Sequence, residues 1–444
     1  MLGAICGDQL RRTCAWYNGG HKEFLNIPLR MFLENPTIAH LANLLGEQRE
    51  QSSSSFEEIS LPSSITPQYN QISPSIITHV LLTGATGFLG AHLLSDLLEN
   101  SKANIFCLVR AKDRKEAENR LLQNLYRYFP KFELPKDRVI ALPGDLSRPS
   151  LGLNDQDYQL ISQKSEIIYH CGASVHHVYD YKTLMAPNVL SVIEMLKLAI
   201  NDPLKKVVYI STLSIAEEKL GEIQEEFITE DPPLTLTGGY EQTKWMAEKL
   251  LAEASKREIP VQIFRPSTII GHSITGISSY ENDHLLRLLK GCIQIEKSPD
   301  WDLTLDMLPV DFISNLIIKV SLDKNNKNKV FNLSNCQKIS WLDIIRCLKS
   351  FGYKIEIIPY SEWKSVLSTT NSDNALFPLL SLYIGEEINM GEVKINKINT
   401  RNTLDALTGL GINMLSMDDR ILNTMISYLS RIFFTPKKEF SNET

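Results

Sequence analysis

The stretch Thr83-Gly84-Ala85-Thr86-Gly87-Phe88-Leu89-Gly90 decides the fold, because it places three glycines between a short apolar run and a helical pattern. The run that ends at Thr83 has the length and composition of a buried strand, and the residues after Gly90 have helical spacing. Such a junction allows a tight turn and lets backbone amides approach a pyrophosphate. The residues expected at a dinucleotide are Gly84, Thr86, Gly87, Phe88, Leu89 and Gly90.

Further short apolar runs follow this motif, and helix-length segments separate them. The runs are His79 to Thr83, Asn104 to Val109, Arg138 to Leu142, Glu166 to Tyr169, Lys206 to Ile210 and Pro260 to Phe264. Strands rich in Val, Ile and Leu that alternate with helices are typical of a parallel sheet covered on both faces. The predicted fold class is therefore α/β, a Rossmann-type doubly wound parallel sheet with a smaller C-terminal substrate-binding lobe.

Composition divides the chain into segments. A serine run at residues 52–55 and prolines at 62, 67 and 74 predict a flexible linker over residues 49–77. We assign residues 78–272 to the Rossmann domain and residues 273–434 to the substrate-binding lobe, which has a helical pattern at Asp283 to Ile293 and a strand at Val330 to Leu333. Residues 435–444 are polar and are predicted to be a disordered tail.

The second predicted strand ends in a basic group. An NAD enzyme commonly has an acidic residue there, which binds the ribose hydroxyls, but this chain has Arg110. A guanidinium would bind a 2′-phosphate through two hydrogen bonds, whereas a carboxylate would repel it. Arg120, one helix later, is expected to reach the same phosphate. The pattern favours NADPH over NADH; the alternative is that these arginines belong to a solvated face.

Two other strand ends carry candidate cofactor-binding residues. The third strand leads into Asp145 and Leu146, where a carboxylate would accept a hydrogen bond from an adenine amine; the alternative is that Asp145 caps a turn. The fourth strand leads into Gly172 and Ala173. Their small size would let the backbone pass close to a nicotinamide ribose.

A tyrosine and a lysine four residues apart are the candidate acid–base pair. Tyr240 and Lys244 lie in a helical pattern and therefore on one face of the helix. A nearby ammonium would stabilise the phenolate and so lower the pKa of the tyrosine. Thr212 follows the fifth strand and would donate its hydroxyl to a carbonyl oxygen beside Tyr240. Asn188, at the start of a helical segment, is either a relay residue or an ordinary helix cap.

The composition excludes several classes of function. The chain has 444 residues, 43% of them apolar and 22% charged, and 46 basic residues stand against 52 acidic ones, which leaves no excess positive charge for nucleic acid. Seven scattered cysteines without a Cys-x-x-Cys pair predict no disulfide framework and no zinc site, and we expect no metal. Without a signal-peptide core or a membrane-length apolar run, a cytoplasmic location is expected.

These features in this order resemble the extended short-chain dehydrogenase/reductase superfamily. More narrowly, residues 78–363 are similar to the thioester reductase domains that end some nonribosomal peptide synthetases, polyketide synthases and carboxylic acid reductases. The motifs are Leu82-Thr-Gly-Ala-Thr-Gly-Phe-Leu-Gly90, Cys107-Leu-Val-Arg-Ala111, Ile210-Ser-Thr-Leu-Ser214, Gly239-Tyr-Glu-Gln-Thr-Lys-Trp245, Phe264-Arg-Pro-Ser267 and Leu288-Leu-Lys-Gly-Cys-Ile-Gln294.

The resemblance implies an activity and assigns residues to it. The family's catalytic trio of Thr, Tyr and Lys maps onto Thr212, Tyr240 and Lys244, and Pro266 would lie beside the nicotinamide. The implied reaction is NADPH-dependent reduction of a carrier-bound acyl or peptidyl thioester to an aldehyde, with a further reduction to an alcohol left open. The implied partner is a phosphopantetheinyl carrier protein.

The resemblance also extends to the N-terminus. Phe24 to Ala39 looks like the last part of a carrier domain, but Gly19-Gly20-His21 is followed by Lys22 where the family attaches phosphopantetheine to a serine. Residues 1–48 are therefore interpreted as a truncated carrier remnant, so that the thioester arrives from another chain or this chain is a piece of a larger assembly.

Two alternatives to thioester release remain open. One is an acyl-CoA reductase, or another extended reductase, that acts on a free small molecule. The other is a non-catalytic NADP(H)-binding sensor. A separate open point is the acidic stretch from Glu217 to Asp231, which is predicted to be a solvated loop, with a lid or carrier-docking element as the alternative.

Overall fold

The computed structural model describes most of the chain from residue 58 onward. The described residues are 58–68, 77–176, 179–215, 218–219, 222–229, 236, 238–280, 283–324, 326, 328–335, 337–380, 383 and 397–434. The predicted carrier remnant of residues 1–48 and the predicted tail of residues 435–444 lie outside the described residues.

A seven-stranded parallel sheet forms the centre of the protein. Its strands are β1 (His79–Thr83), β2 (Asn104–Arg110), β3 (Val139–Gly144), β4 (Ile167–His170), β5 (Lys206–Ile210), β8 (Val261–Pro266) and β13 (Lys329–Leu333), in the order β13-β8-β5-β4-β1-β2-β3. Most of their side chains are buried because helices cover both faces. The six strands and the α/β class predicted from sequence are confirmed.

The helices are amphipathic and pack on both faces of the sheet or in the lobe. They are α1 (Phe88–Asn100), α2 (Arg114–Tyr128), α3 (Asp155–Lys164), α4 (Tyr181–Met185), α5 (Ser191–Ala199), α6 (Gly239–Lys256), α7 (His284–Gln294), α8 (Val310–Leu322), α9 (Trp341–Ser350), α10 (Tyr360–Ser368), α11 (Arg401–Gly409) and α12 (Asp419–Phe434). Apolar residues of α1, α2, α8 and α11 form one core with the sheet, and those of α3, α5 and α6 form the other.

Short strands connect these elements or lie at the edge of the lobe. They are β6 (Glu218–Lys219), β7 (Glu222–Ile223), β9 (Thr268–Ile270), β10 (Lys297–Pro299), β11 (Thr304–Leu305), β12 (Met307–Pro309), β14 (Ile339–Ser340), β15 (Glu356–Ile358) and β16 (Lys397–Ile398). A third core, rich in aromatic side chains, joins α7, α9, α10 and α12 and includes Trp301, Trp341, Trp363 and Tyr383.

The predicted domain boundary between residues 272 and 273 is not a clean division. β13 pairs with β8 inside the main sheet, α8 packs against α1, and Leu407 of α11 lies in the same core. The parallel sheet needs cover on both faces, and residues beyond 273 supply part of that cover. The separate lobe consists of the third core, and residues 307–333 and 401–412 belong to the Rossmann unit.

The predicted flexible linker is also wrong for residues 58–68. Leu61 and Ile65 are buried in the core beneath α6, and the guanidinium of Arg257 donates to the carbonyl oxygens of Leu61, Pro62 and Ile65. Although serines and prolines surround them, Leu61 and Ile65 anchor this segment to the domain, because each buries apolar area in the core beneath α6.

Among the described residues, no helix combines the length and the apolar character that crossing a membrane requires.

Candidate active site

The glycine loop packs tightly against the end of β4. Gly84 has a φ of 78°, and a Cβ placed on it would lie 2.7 Å from the amide nitrogen of Gly172. A Cβ on Gly90 would lie 1.9 Å from the carbonyl oxygen of Gly84. Only glycine fits at both positions. The loop leads into the N-terminus of α1, where Gly87 provides no side-chain cap, so amide groups there remain available to an anion.

A chain of buried hydrogen bonds holds the two strand ends together. The Thr83 hydroxyl accepts from the Gly172 amide at 3.0 Å and lies 2.8 Å from Nδ1 of His170, whose Nε2 lies 3.3 Å from the Ser191 hydroxyl. Ser191 in turn donates to the Pro187 carbonyl oxygen at 2.7 Å. Burial, together with the charge of Lys244, lowers the pKa of His170 to about 3. The neutral ring therefore accepts from Thr83 and donates to Ser191.

Sequence reasoning did not assign His170 or Ser191 to the site. The sequence did contain a signal for His170, because it ends the fourth strand shortly before the candidate residues Gly172 and Ala173. Its partners could not be identified, since Thr83 and Ser191 are brought to it only by strand pairing and helix packing.

Two arginines lie together at the end of β2. Arg110 is exposed, and the Arg120 guanidinium donates to the Arg110 carbonyl oxygen. The neighbouring Arg114 instead pairs with Asp157 at 2.8 Å. Arg110 and Arg120 therefore both contribute positive charge at this corner of the sheet, while Arg114 is paired with Asp157.

Asp145 and Leu146 occupy the turn after β3. A carboxylate oxygen of Asp145 accepts from the Ser147 amide at 2.9 Å, which is the turn-capping arrangement that the sequence left open. Leu146 lies over the strand end opposite, and a Cβ on Gly172 would lie 2.7 Å from its Cδ1. Leu146, Gly172 and Gly84 therefore form one narrow wall, and Ala173 follows it half-buried.

Lys244 is buried and directed at the end of β5. Its Nζ donates to the Ile210 carbonyl oxygen at 2.6 Å and lies 4.6 Å from the centroid of the Tyr209 ring. Burial lowers the pKa of Lys244 to about 8, and the nearby Cys171 and Glu248 oppose the shift. The ammonium form therefore predominates at neutral pH.

Tyr240 lies one helical turn before Lys244, and its pKa differs from the expectation. Burial, with smaller contributions from Glu241 and Cys171, raises the pKa of Tyr240 rather than lowering it. The expected lowering of the Tyr240 pKa is therefore wrong, because burial and the neighbouring Glu241 and Cys171 raise it. The phenol keeps its proton, as a general acid requires.

Thr212 stands where β5 ends and a short 3₁₀ turn, Leu213–Ile215, begins. Its Oγ1 lies 3.1 Å from the Ser214 hydroxyl, and the threonine is half-buried. Since α6 starts at the same edge of the sheet, the structure brings Thr212, Tyr240 and Lys244 to one end of β5. Pro266 ends the adjacent strand β8 and is buried.

Asn188 does not lie at a helix start, so the alternative that it is an ordinary helix cap is wrong. It lies in a π-helical turn, Ala186–Leu190, between α4 and α5, and Asp180 caps the helix instead. Its amide group accepts from the Ser174 amide at 2.7 Å and donates to the Ser174 carbonyl oxygen and the Thr243 hydroxyl, both at 3.0 Å. Asn188 thus ties the β4 loop to α6, and its role as a proton relay stays a prediction.

A buried ion pair extends the Tyr240 and Lys244 face of α6. Glu248, one further turn along, accepts from the Arg265 guanidinium of β8 at 2.6 Å, and the two side chains are 0% and 2% exposed. Arg265 also donates to the carbonyl oxygens of Gln224 and Glu226. Sequence reasoning missed this pair, although the spacing of four residues from Lys244 to Glu248 was visible.

Part of the acidic stretch is integrated into the fold rather than solvated. The Glu225 carboxylate accepts from the Thr403 hydroxyl at 2.7 Å and from the backbone amides of Asn332 and Asn402. It therefore joins β13 to the N-terminus of α11. The predicted solvated loop is wrong for this residue, because a carboxylate at a helix N-terminus finds several amide donors.

The described residues contain no group of three or more His, Cys, Asp or Glu side chains arranged to hold a metal ion. His176, which directly precedes His177 in the sequence, stacks on Tyr179 at 3.7 Å between ring centroids.

The sheet order, the glycine loop and the Tyr240–Lys244 helix define a Rossmann-type dinucleotide-binding protein. The profile of the NAD-binding family described as male sterility protein matches residues 82–317. The chain belongs to this family, whose members are NAD(P)-dependent reductases.

Two similar curated proteins are multidomain enzymes. A linear gramicidin synthase component from Brevibacillus parabrevis is 33% identical over 448 residues, covering 96% of this chain and 9% of that protein. L-2-aminoadipate reductase of Saccharomyces cerevisiae is 30% identical over 465 residues, covering 93% of this chain and 33% of that protein. The chain therefore spans a third or less of the length of these two relatives.

Solved structures show the same architecture. The terminal R domain from the myxalamid PKS-NRPS biosynthetic pathway is 36% identical, with a TM-score of 0.78, covering 84% of this chain and 96% of that one. A thiolation-reductase di-domain from an archaeal non-ribosomal peptide synthetase is 22% identical, with a TM-score of 0.69, covering 91% of this chain and 87% of that one. The second likeness concerns the fold alone.

Proposed function

We propose that the protein is an NADPH-dependent reductase that releases a carrier-bound acyl or peptidyl thioester as an aldehyde. The observation that carries this proposal is the meeting of Thr212, Tyr240 and Lys244 at the end of β5, beside the glycine loop. The similarity to the myxalamid terminal R domain supports it.

The backbone cradle fits a dinucleotide. A Cβ at Gly84 or Gly90 would collide with neighbouring backbone, so glycine keeps the loop folded tightly onto the N-terminus of α1, whose amides have no side-chain cap and are available to a pyrophosphate. Bound NADPH would supply the hydride. The exposed Arg110, with Arg120 against its carbonyl oxygen, supports a 2′-phosphate and hence NADPH over NADH. Asp145, Leu146, Ala173 and Pro266 are proposed to line the rest of the cofactor groove.

The protein's own residues act on the thioester. Thr212 donates its hydroxyl to the carbonyl oxygen and stabilises the negative charge that develops there. Tyr240, which keeps its proton because of burial, transfers that proton to the oxygen and so forms a hemithioacetal. The carbon–sulfur bond then breaks, the hydroxyl proton passes to the departing sulfur, and the products are an aldehyde and the carrier thiol. Tyr240 regains its proton from solvent. The ammonium of Lys244 offsets the charge left on Tyr240.

The proposed partner is a phosphopantetheinyl carrier protein, and the proposed location is the cytoplasm. The similar gramicidin synthase component and the terminal R domain from the myxalamid PKS-NRPS biosynthetic pathway support the partner. The cysteines among the described residues, at 107, 171, 292 and 347, are free thiols, in agreement with a reducing compartment.

The test is oxidation of NADPH by the purified full-length chain with one acyl group presented in three forms: on a carrier protein, on pantetheine and on CoA. The proposal expects release of aldehyde and free thiol, faster turnover with the carrier form than with the CoA form, and little turnover with NADH. Preference for the CoA form would favour the acyl-CoA reductase. Tight binding of NADPH without turnover of any thioester would favour the sensor.

A further inference from the structure

The buried guanidinium of Arg265 joins three parts of the molecule. From β8 it donates to both carboxylate oxygens of Glu248 on α6, at 3.0 Å and 2.6 Å. It also donates, at 3.0 Å each, to the backbone carbonyl oxygens of Gln224 and Glu226. These two residues belong to the chain segment that leads from the end of β5 to the start of α6, which we call the β5–α6 connection. Arg265 therefore links β8, α6 and this connection.

A second buried charge holds the β5–α6 connection between the two carbonyl groups. The Glu225 carboxylate accepts from the amide of Asn332 at 2.8 Å and from the hydroxyl of Thr403 at 2.7 Å. These bonds join the connection to β13 and α11. A buried polar network whose members are all paired is rigid. The middle of the connection is therefore fixed to three other elements.

The ion pair also relates the positions of two candidate catalytic residues. β8 pairs with β5 in the main sheet, and Thr212 follows the end of β5. Glu248 lies about 12 Å along α6 from Tyr240, in one continuous helix. Because the paired strands and the helix each move as a unit, the contact of Arg265 with Glu248 fixes α6 against β8. The distance between Tyr240 and Thr212 depends on that contact.

The stability of the fold does not by itself require charges at this place. Burying two charges costs desolvation energy, and a pair of apolar residues with similar volume is often equally stable or more stable. A guanidinium has five N–H donors in a planar arrangement, so it can bind a carboxylate and two carbonyl oxygens together. The particular contribution of Arg265 is therefore the relative placement of the elements that it joins.

We propose that Arg265 is a positioning residue for the reduction, because its bonds to Glu248 and to the β5–α6 connection hold Tyr240 and Thr212 at the spacing that one carbonyl oxygen requires. Arg265 acts through α6 and the connection. Its loss lowers the rate of the chemical step and leaves cofactor binding in place. The inference rests on the proposed function, since it takes both residues as groups that act on the thioester carbonyl.

Two variants separate positioning from support of the fold. The double variant Arg265→Met, Glu248→Met removes both charges together, so no unpaired charge remains in the interior and the fold should persist. Arg265→Lys keeps an ion pair with Glu248 but lacks the planar group that binds the two carbonyl oxygens as well. If the double variant fails to fold, Arg265→Lys still tests the inference.

Arg138→Lys is the matched control. The Arg138 guanidinium also donates to backbone carbonyl oxygens, but it precedes β3 at the amino edge of the sheet, away from the site. The residues whose carbonyl oxygens it binds are Leu98, Ser101 and Ala103.

The experiment measures thermal unfolding, the Kd for NADPH and the single-turnover rate of NADPH oxidation by the full-length chain. The substrate is the acyl-pantetheine thioester that the wild-type protein reduces fastest, at saturation and well below the melting temperatures. We expect the single-turnover rate of both Arg265 variants to fall about tenfold or more, because small displacements of reacting groups are costly. The Kd for NADPH should stay the same, since the end of β4 holds the glycine loop. Arg138→Lys should lower the melting temperature and keep the rate.

Wild-type rates in both Arg265 variants would overturn the inference, whatever their melting temperatures. A wild-type rate in Arg265→Lys beside a slow double variant would also overturn it, because the ion pair alone would then be sufficient. So would a higher KM for the thioester with an unchanged rate at saturation, which indicates a role in substrate binding. If the wild-type protein reduces no thioester, the proposed function fails, and that result is distinct from an active wild-type protein with equally active variants.

Discussion

At the residue scale, the charge and protonation state of each site residue depend on its surroundings and not only on its residue type. Lys244 donates to the Ile210 carbonyl oxygen, so its charge lies at the end of β5. Tyr240 keeps its proton because burial raises its pKa. Arg110 and Arg114 are close in sequence, yet among the described residues only Arg114 of the two forms an ion pair.

We expect Tyr240→Phe to reduce turnover about 100-fold or more, because it removes the general acid. NADPH binding should be retained, since the substitution deletes only one oxygen. Single-turnover kinetics and a binding titration measure the two effects. Tyr158→Phe on α3 is the control and should keep full activity. Unchanged turnover of Tyr240→Phe would show that this phenol does no chemistry.

Lys244 predicts a pH dependence. Because burial lowers its pKa to about 8, the ammonium is lost as pH rises through 8, and kcat/KM should fall there. The stability of the fold changes in the opposite direction to the activity. Between pH 8 and 10.5 the unfolded chain still binds the proton that the folded chain has released, so the free energy of unfolding rises with pH.

Lys244→Arg is the informative variant for this dependence, because a guanidinium stays charged in that range. Its activity, even if low, should lack the fall near pH 8, and its stability should rise less than that of the wild-type protein, because Lys205, whose pKa burial also lowers to about 8, still contributes. A fall in rate at the same pH in both proteins would assign the titration to another group.

Arg110→Ala should weaken NADPH binding about 10- to 100-fold and leave NADH nearly unchanged, because it removes charge-assisted hydrogen bonds to the 2′-phosphate. The ratio of kcat/KM for the two coenzymes is the measurement. Arg114→Ala, whose side chain is paired with Asp157, should change that ratio much less. Equal effects of the two variants would mean that only the general positive field matters.

At the element scale, the site is built from close contacts between a loop and helix ends. The glycine loop touches the end of β4, the π-helical turn holds Asn188 against the β4 loop, and α6 presents Tyr240, Lys244 and Glu248 on one face. These contacts are backbone to backbone or buried polar pairs. Such contacts tolerate little displacement, so a shift of one element would break the contacts that hold the site residues in place.

Gly90→Ala tests the closest of these contacts. Its Cβ would meet the Gly84 carbonyl oxygen at 1.9 Å, so α1 must move away from the loop, and we expect NADPH binding to be lost. A binding titration and thermal unfolding measure the effect. Gly409→Ala, where a Cβ meets nothing within 4 Å, should leave binding intact. Normal NADPH affinity of Gly90→Ala would refute the tight-loop argument.

At the scale of the whole molecule, segments that are far apart in sequence pack into the same hydrophobic cores. Residues 58–68 pack beneath α6, β13 completes the main sheet, and Glu225 joins that strand to α11. The Rossmann unit is therefore assembled from four separate parts of the chain, residues 58–68, 78–272, 307–333 and 401–412. Removing any one of them would expose apolar area of the others.

Ile65→Ala tests the first of these parts. The side chain is 1% exposed, so the substitution should lower the free energy of unfolding by about 2–4 kcal/mol. Thr66→Ala, at an exposed neighbour, should change it by less than about 0.5 kcal/mol. Chemical denaturation measures both. Equally small changes in the free energy of unfolding for both variants would support the flexible linker that the composition predicted.

Much of the fold and of the site followed from the sequence. The six strands, the glycine loop and the face shared by Tyr240 and Lys244 depend on local periodicity and spacing, which act within one element. Only the tertiary structure decided the position of β13, the packing of residues 58–68, the partners of His170, Asn188 and Glu225, and the direction of the Tyr240 pKa shift. These depend on burial and on contacts between distant segments, and no local pattern encodes either.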